Sequence, residues 1–171
     1  MIAKKIFHQS VIQELQGTIA AQRPSSLIYC TDTDVPAMSA LAETGVSVDR
    51  AGEMADLDHA SRYELGVVFN FLEHRPVSEG LEVLGRLRNV HCERIWVAVT
   101  TSSDWDFNSM ISLGFSRGPC FAGRTMTSAH NKPREVEICT YHYDIDKYNH
   151  KREWNTPKHW ANPENWGKYW W

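Results

Sequence analysis

The spacing of apolar residues at the start of the chain predicts a helix followed by a buried strand. Apolar side chains recur every four residues over a predicted helix at 5–21, which Pro24 closes. Residues 27–30 form a short apolar run that ends in polar residues, a pattern typical of a buried strand leading into a loop. The residues of the helical stripe are Phe7, Val11, Leu15 and Ile19.

A helix and a second strand complete the first unit. Pro36 occupies the first turn of the predicted helix, with Asp34 as a candidate cap, and Gly45 lies just past its end. Residues 46–49 are then a short strand candidate at the distance that a parallel crossover requires. Only 14 residues separate Asp49 from Glu64, so we expect one element to be missing or vestigial there.

The middle of the chain continues the alternation of strands and helices. Residues 65–71 are apolar on both faces, as in a central strand covered by helices, and residues 95–99 form another buried run. Each strand is followed by a helix, which predicts a parallel sheet with right-handed crossovers. The first of these helices opens at Ser78, with an inner stripe of Leu81, Leu84, Leu87 and Arg88. The second helix opens with a capping box of Ser103 and Asp106 and stops at Gly114. Its predicted inward-facing residues are Phe107, Met110 and Ile111.

Two alternating segments at 119–128 and 134–144 predict an antiparallel hairpin after the parallel strands. The predicted fold class is therefore α/β, a three-layer sandwich whose mostly parallel, doubly wound sheet ends in this hairpin. We expect one domain at 1–150 and a tail at 151–171. No internal repeat or low-complexity linker interrupts the domain.

The charge of the chain narrows the classes of function. Its 18 Lys and Arg against 21 Asp and Glu give a formal charge of -3. Proteins that bind nucleic acid carry a basic stripe or face, so this near-neutral balance argues against a nucleic-acid partner. Its apolar stretches are far shorter than the roughly 20 residues of a membrane-spanning helix. The first residues lack the apolar run of a signal peptide. We expect a cytoplasmic protein with no membrane partner.

The cysteines and histidines show no metal-binding spacing. The four cysteines are far apart, with no C-x-x-C pair, and are expected to be reduced, mostly buried thiols. The eight histidines include no H-x-x-x-H pair, so no metal is expected. The cysteines are Cys30, Cys92, Cys120 and Cys139.

The tail at 151–171 contains five of the seven tryptophans. So much apolar surface is expected to pack against something instead of remaining in water. Three alternatives stay open: the tail wraps its own domain, it mediates a homodimer or fills a partner's groove, or it stacks on sugars or bases.

One segment, together with the order of the elements, resembles the fold of the class I S-adenosylmethionine (SAM)-dependent methyltransferases. Residues 63–76 read Tyr-Glu-Leu-Gly-Val-Val-Phe-Asn-Phe-Leu-Glu-His-Arg-Pro, which is similar to the fourth strand of that family and the turn after it. The resemblance covers residues 25–144 and implies a Rossmann-like fold. Residues 160–169 also resemble the closing segment of an uncharacterised bacterial family with this fold.

The loop after the first strand departs from the pattern of the methyltransferases. Their spaced glycines let the backbone approach the cofactor, whereas the corresponding positions here are Thr31, Thr33 and Val35. A β-branched residue at positive φ is strained by about 1–3 kcal/mol, and Asp32 and Asp34 would face the carboxylate of the cofactor. We therefore predict a methyltransferase-like pseudoenzyme without a cofactor, which acts by binding or assembly.

Two alternative functions remain. The first is an active SAM-dependent methyltransferase with an atypical loop, in which the resemblance places Asp49 near the ribose and Asp56 near the adenine. The second is a protein-interaction module that uses the Trp-rich tail. The cofactor-binding candidates, if a ligand binds at the family's site, are Thr31, Asp32, Thr33, Asp49, Asp56 and Asn70.

Glu73 and His74 are the catalytic candidates. They follow a predicted central strand, at the edge of the sheet where ligands of open α/β folds bind, and such a pair could act as general acid and base. The structural alternative is that His74 caps a chain end while Glu73 pairs with Arg75. Asn70, placed inside the strand, is expected to be a hydrogen-bonded structural amide.

Overall fold

The computed structural model describes residues 9–32, 36–101, 104–126, 133–149, 158, 162–165 and 167–168. Its helices are α1 (Gln9–Gln22), α2 (Pro36–Glu43), α3 (Met54–Asp58), α4 (Val77–Arg86), α5 (Phe107–Ser112) and α6 (Ile145–Tyr148). Its strands are β1 (Ser26–Cys30), β2 (Ser47–Arg50), β3 (Tyr63–Phe69), β4 (Cys92–Thr100), β5 (Ser116–Met126) and β6 (Pro133–Asp144). Short turns of helix at Leu72–His74, Leu87–His91 and Pro163–Asn165 complete the description.

The six strands form one sheet in the order β2-β1-β3-β4-β6-β5. The pairs β1–β2, β1–β3 and β3–β4 are parallel, while β4–β6 and β5–β6 are antiparallel. The sequence prediction of a mostly parallel sheet that ends in an antiparallel hairpin is confirmed.

The stretch between β2 and β3 is as short as the residue count indicated. It contains the five-residue helix α3 and no strand, so the sheet ends at β2 on this side. Among the described residues, no strand pairs with the outer side of β2.

The core has two layers because alternate residues of each strand face opposite sides of the sheet. One layer packs under α1 and α2 and includes Val11, Leu15 and Met38. The other packs under α3, α4 and α5 and includes Leu57, Leu84 and Met110. The predicted three-layer arrangement is thus confirmed.

Three side chains predicted to face inward are exposed instead. Leu81 on α4 is 37% exposed, because Val83 and Leu84 supply the buried face of that helix. Phe107 and Ile111 on α5 are 47% and 40% exposed, and Met110 alone of the predicted triplet is buried. The inner stripe predicted for α4 also includes Arg88. This residue lies beyond the end of that helix, where its Nη1 donates to the carbonyl of Leu113.

The ends of α5 show which local signals decide a short helix. Asp106 is its N-cap and accepts a hydrogen bond from the backbone N–H of Ser109 at 2.7 Å. The predicted partner Ser103 lies outside the described residues. Gly114 ends the helix as predicted, with a φ of +86 degrees that favours glycine.

No helix within the described part of the chain is both long and apolar enough to cross a membrane.

Candidate functional site

The candidate site lies at the carboxyl ends of β1 and β3. The chain leaves β1 toward β2 on one side and leaves β3 toward β4 on the other, which makes this a topological switch point. Ligands of open α/β sheets bind in the crevice outside such a point. We call the groups that follow the two strands, namely Thr31, Asp32 and the segment from Asn70 to Arg75, the switch-point crevice.

Arg75 spans this crevice. Its Nη1 and Nη2 donate to the two carboxylate oxygens of Asp32, both at 2.9 Å. The same nitrogens donate to the carbonyls of Phe71 and Gly52, also at 2.9 Å, and Nε lies 3.4 Å from a carboxylate oxygen of Glu79. One guanidinium therefore joins the segments that follow β1, β2 and β3.

The environment of this ion pair makes it stronger than a surface pair. The side chains of Arg75 and Asp32 are only 15% and 26% exposed, and the guanidinium carbon lies 3.5 Å from the centre of the Phe71 ring. A bidentate carboxylate contact and a stacked ring together fix the guanidinium in place. The expected pairing of Glu73 with Arg75 is wrong, because Asp32 and Glu79 hold that arginine.

Asn70 lies just after β3 and not inside it. Its φ is +49 degrees, which turns the chain out of the strand, and its carbonyl accepts from the N–H of Asp32 at 3.3 Å. Its side chain is buried, with Oδ1 3.1 Å from Nε2 of His74. The Nδ2 of this amide has no hydrogen-bond partner. His74 therefore contacts the amide of Asn70 and does not cap a chain end.

Glu73 turns inward at the same edge. Its Oε1 accepts from the backbone N–H of Thr100 at 3.0 Å, while its buried Oε2 has no hydrogen-bond partner. Burial raises the pKa of this carboxyl above its ordinary value, although the hydrogen bonds from backbone N–H groups oppose the shift. Glu73 and Asn70 thus each present one unsatisfied polar atom at the crevice.

We expect the substitution Glu73→Gln to change the pH dependence of stability. A folded-state pKa above the unfolded value means that the folded chain holds its proton more tightly, so stability falls as pH rises from the ordinary Glu pKa to the raised one. Glutamine cannot ionise, and it keeps an acceptor for the N–H of Thr100. The variant should therefore gain stability relative to the wild type as the pH rises from about 4 to about 8, measured by urea unfolding at both values.

Glu64→Gln is the control variant, because its expected effect on stability at about pH 8 is opposite to that of Glu73→Gln. Hydrogen bonds from the hydroxyl and the N–H of Ser25 lower the pKa of Glu64, so its contribution to stability is present at neutral pH and lost as pH falls. That substitution should destabilise at about pH 8. A Glu73→Gln variant that also lost stability at this pH would contradict the burial argument.

Of the remaining cofactor-binding candidates, the structure describes Thr31, Asp49 and Asp56, and it places one of these three in the switch-point crevice. Thr31 does lie there, buried at the end of β1, and its carbonyl accepts from Nη2 of Arg50 at 3.2 Å. Asp49 instead accepts from the hydroxyl of Tyr63 at 2.7 Å, and burial together with this contact raises the pKa of Tyr63 to about 12. Thr33 lies outside the described residues.

Asp56 lies in the first turn of α3 and orders the loop before that helix. Its Oδ2 accepts from the N–H groups of Glu53 and Gly52, at 2.9 and 2.8 Å, and these bonds lower the pKa of its carboxyl. The carbonyl of the same Gly52 accepts from Arg75. Asp56 is therefore linked to the crevice through the loop that it orders.

The prediction of four reduced cysteines is wrong for two of them. Cys120 and Cys139 form a disulfide between neighbouring strands, while Cys30 and Cys92 are free and buried. Burial raises the pKa of Cys30 to about 12 and that of Cys92 as well. The described residues bring one group of potential metal ligands together, formed by Cys120, Glu137 and Cys139, and two of its three atoms are joined in the disulfide.

Comparison with solved structures supports the fold. The magnesium protoporphyrin IX methyltransferase of Synechocystis PCC 6803, crystallised with bound SAM, is 12% identical over 80% of each chain, with a TM-score of 0.50. TehB from Haemophilus influenzae is 8% identical over 80% of this chain and 61% of its own, also with a TM-score of 0.50. The protein therefore has the Rossmann-like fold of the class I SAM-dependent methyltransferases.

A family model gives the more specific assignment. It matches residues 9–171, so the chain belongs to DUF6231, a family of unknown function. The match includes the whole Trp-rich tail. The sequence has no match among the curated proteins.

Proposed function

We propose that this chain is a methyltransferase-like pseudoenzyme, which does not transfer methyl groups from SAM and acts by binding or assembly. The observation that carries the proposal is the bidentate pair between Arg75 and Asp32 across the switch-point crevice. The chain thereby pairs with each other two charged side chains that a ligand at the crevice would otherwise contact.

The energy of the Arg75–Asp32 pair is large enough to lower the binding affinity of a ligand that has to break it. Breaking a fully buried ion pair costs about 3–5 kcal/mol, and half of that corresponds to a roughly tenfold to hundredfold loss of affinity. Thr31 is not at positive φ, so the backbone strain expected there is absent. Its buried β-branched side chain still occupies the place where the methyltransferases have glycine, which supports a poor fit for SAM. Asp49, the candidate for the ribose, already accepts the hydroxyl of Tyr63.

Two atoms favour the alternative of an active methyltransferase. Nδ2 of Asn70 and Oε2 of Glu73 are buried at the crevice without hydrogen-bond partners. Such atoms are rare in native proteins and are satisfied when a polar ligand binds. Under this alternative, Glu73 or His74 would lie near the methyl acceptor.

Calorimetric titration of the full chain with SAM separates the two functions. We expect no saturable heat up to about 1 mM, since both the ion pair and Thr31 oppose binding. The double variant Asp32→Asn, Arg75→Gln removes the pair without leaving a lone charge. Binding by this variant alone would show that the pair blocks the crevice, whereas saturable micromolar binding by the wild type would overturn the proposal.

We further propose that the tail at 151–171 packs on its own domain, with a homodimer or a partner's groove as the alternative through which it would take part in binding or assembly. The family model extends through these residues, which supports a role shared by the family. A cytoplasmic location is part of the same proposal.

A further inference from the structure

The disulfide between Cys120 and Cys139 joins the edge strand β5 to β6. The two residues lie directly opposite each other in the register of the antiparallel pair. Cys139 is 1% exposed, whereas Cys120 is half-buried. Cys120 is therefore the more exposed residue of the pair.

A β-bulge creates this arrangement. Arg117 pairs with Tyr141, yet Cys120 pairs with Cys139, so β5 contains one extra residue at this point. Without the extra residue, Pro119 and not Cys120 would lie opposite Cys139. The bulge also places Arg117 and Cys120 on one face of the sheet, because their partners on β6 are two residues apart.

Arg117 lies beside both sulfurs as a result. Its Nη2 is 3.1 Å from Sγ of Cys120 and 3.4 Å from Sγ of Cys139, and its guanidinium carbon is 5.8 Å from the centre of the Phe107 ring. Arg117 is itself exposed, and a cation at this distance stabilises a thiolate. Glu137 is the opposing charge, with a carboxylate oxygen within 4.8 Å of the two sulfurs.

We propose that the Cys120–Cys139 disulfide is a thiol–disulfide exchange site whose substrate is a dithiol, with Arg117 stabilising the thiolate that leaves. A thiolate of the dithiol attacks Sγ of Cys120 and forms a mixed disulfide. The bond between the two protein sulfurs breaks, and its electron pair passes to Sγ of Cys139 beside Arg117.

The second half of the reaction releases Cys120 and completes the oxidation of the dithiol. The other thiolate of the dithiol attacks its own partner sulfur in the mixed disulfide and releases Cys120. The dithiol is oxidised to a disulfide by two electrons, the protein disulfide is reduced, and the two protons of the dithiol pass to Cys120 and Cys139 or to solvent. Cys30 and Cys92 take no part, because both are buried.

The kinetics of reduction test the role of Arg117. The oxidised full chain is mixed with dithiothreitol at about pH 7 without denaturant, quenched by alkylation, and followed by mass spectrometry. We expect Arg117→Gln to slow reduction about three- to tenfold, Arg117→Lys to remain near the wild type, and Glu137→Gln to accelerate it. Arg62→Gln is the control, since Arg62 is an exposed arginine paired with Glu93. Equal rates for the wild type and Arg117→Gln, or reduction only after unfolding, would overturn the proposal.

Trapping with oxidised glutathione tests which sulfur is attacked. The variant Cys139→Ser leaves Cys120 free to form a mixed disulfide. In Cys120→Ser the remaining thiol of the pair is the buried Cys139, which we expect to react much more slowly. Peptide mapping locates the adduct. Preferential modification of Cys139 would contradict the direction of attack, and the dithiothreitol kinetics remain decisive if a cysteine variant does not fold.

Discussion

Replacing Gly80 with alanine is expected to destabilise the protein by about 2–3 kcal/mol. Gly80 is buried on α4, and a Cβ built there would lie 2.4 Å from Cζ2 of Trp105 and 3.1 Å from Cδ2 of Leu72. Trp105 is 3% exposed, so its ring cannot move aside without disturbing a close-packed core. Urea unfolding should show the loss directly, and the melting temperature should fall by roughly 5–10 °C.

Gly85 provides the matched control on the same helix. Nothing lies within 4 Å of a Cβ built at Gly85, so alanine there should stabilise the protein by up to about 1 kcal/mol through helix propensity. The two substitutions make the same chemical change in the same helix with opposite expected signs. A Gly80→Ala variant as stable as Gly85→Ala would show that the Trp105 ring does not pack against α4 as described.

Replacing Arg75 with glutamine is expected to cost about 2–4 kcal/mol of stability. The change leaves the carboxylate of Asp32 without its partner in a mostly buried site, and it removes donors from the carbonyls of Phe71 and Gly52. Lysine should not restore the loss, because a single ammonium cannot reproduce the bidentate geometry. Denaturant unfolding of each variant at low and high salt measures the loss of stability. Salt should change this loss little, because the Arg75–Asp32 pair is shielded from solvent.

A double-mutant cycle separates the ion pair from the other contacts of Arg75. Asp32→Asn should cost less than Arg75→Gln, since Arg75 retains both backbone carbonyls and Glu79. The coupling energy between the two positions should be about 1–3 kcal/mol. Arg86→Gln, which breaks a more exposed pair with Asp58, should have a much smaller effect. An Arg75 variant no less stable than the Arg86 variant would remove the main support for a closed crevice.

The order of elements could be predicted because it depends on local patterns. Apolar runs, caps and Gly stops act within a few residues, so the hairpin and the short connection between β2 and β3 were both foreseeable. The exposed residues of α4 and α5 were not, because the apolar stripe of each helix is wider than the face that packing buries. Leu81 and Ile111 are examples.

The chemistry of the candidate site depends on contacts between distant residues. Arg75 and Asp32 are 43 positions apart, and the preference of Arg75 for Asp32 over the nearby Glu73 follows from how β1 and β3 align. The disulfide depends on a bulge at Gly118 and Pro119, for which the sequence offers only weak signals. Two cysteines 19 residues apart on a predicted hairpin were a usable hint, but the regular register would have left them unpaired.

The two outer strands bear on how copies of this chain can associate. The four-residue β2 carries Asp49 and Arg50 and is largely exposed, while β5 at the other edge contains Pro119, which has no N–H to offer, next to a bulge. Short charged strands, prolines and bulges discourage the addition of a further strand. Growth into amyloid-like ribbons is thereby hindered at both borders, and a specific dimer would have to form through side chains instead of a continuous intermolecular sheet.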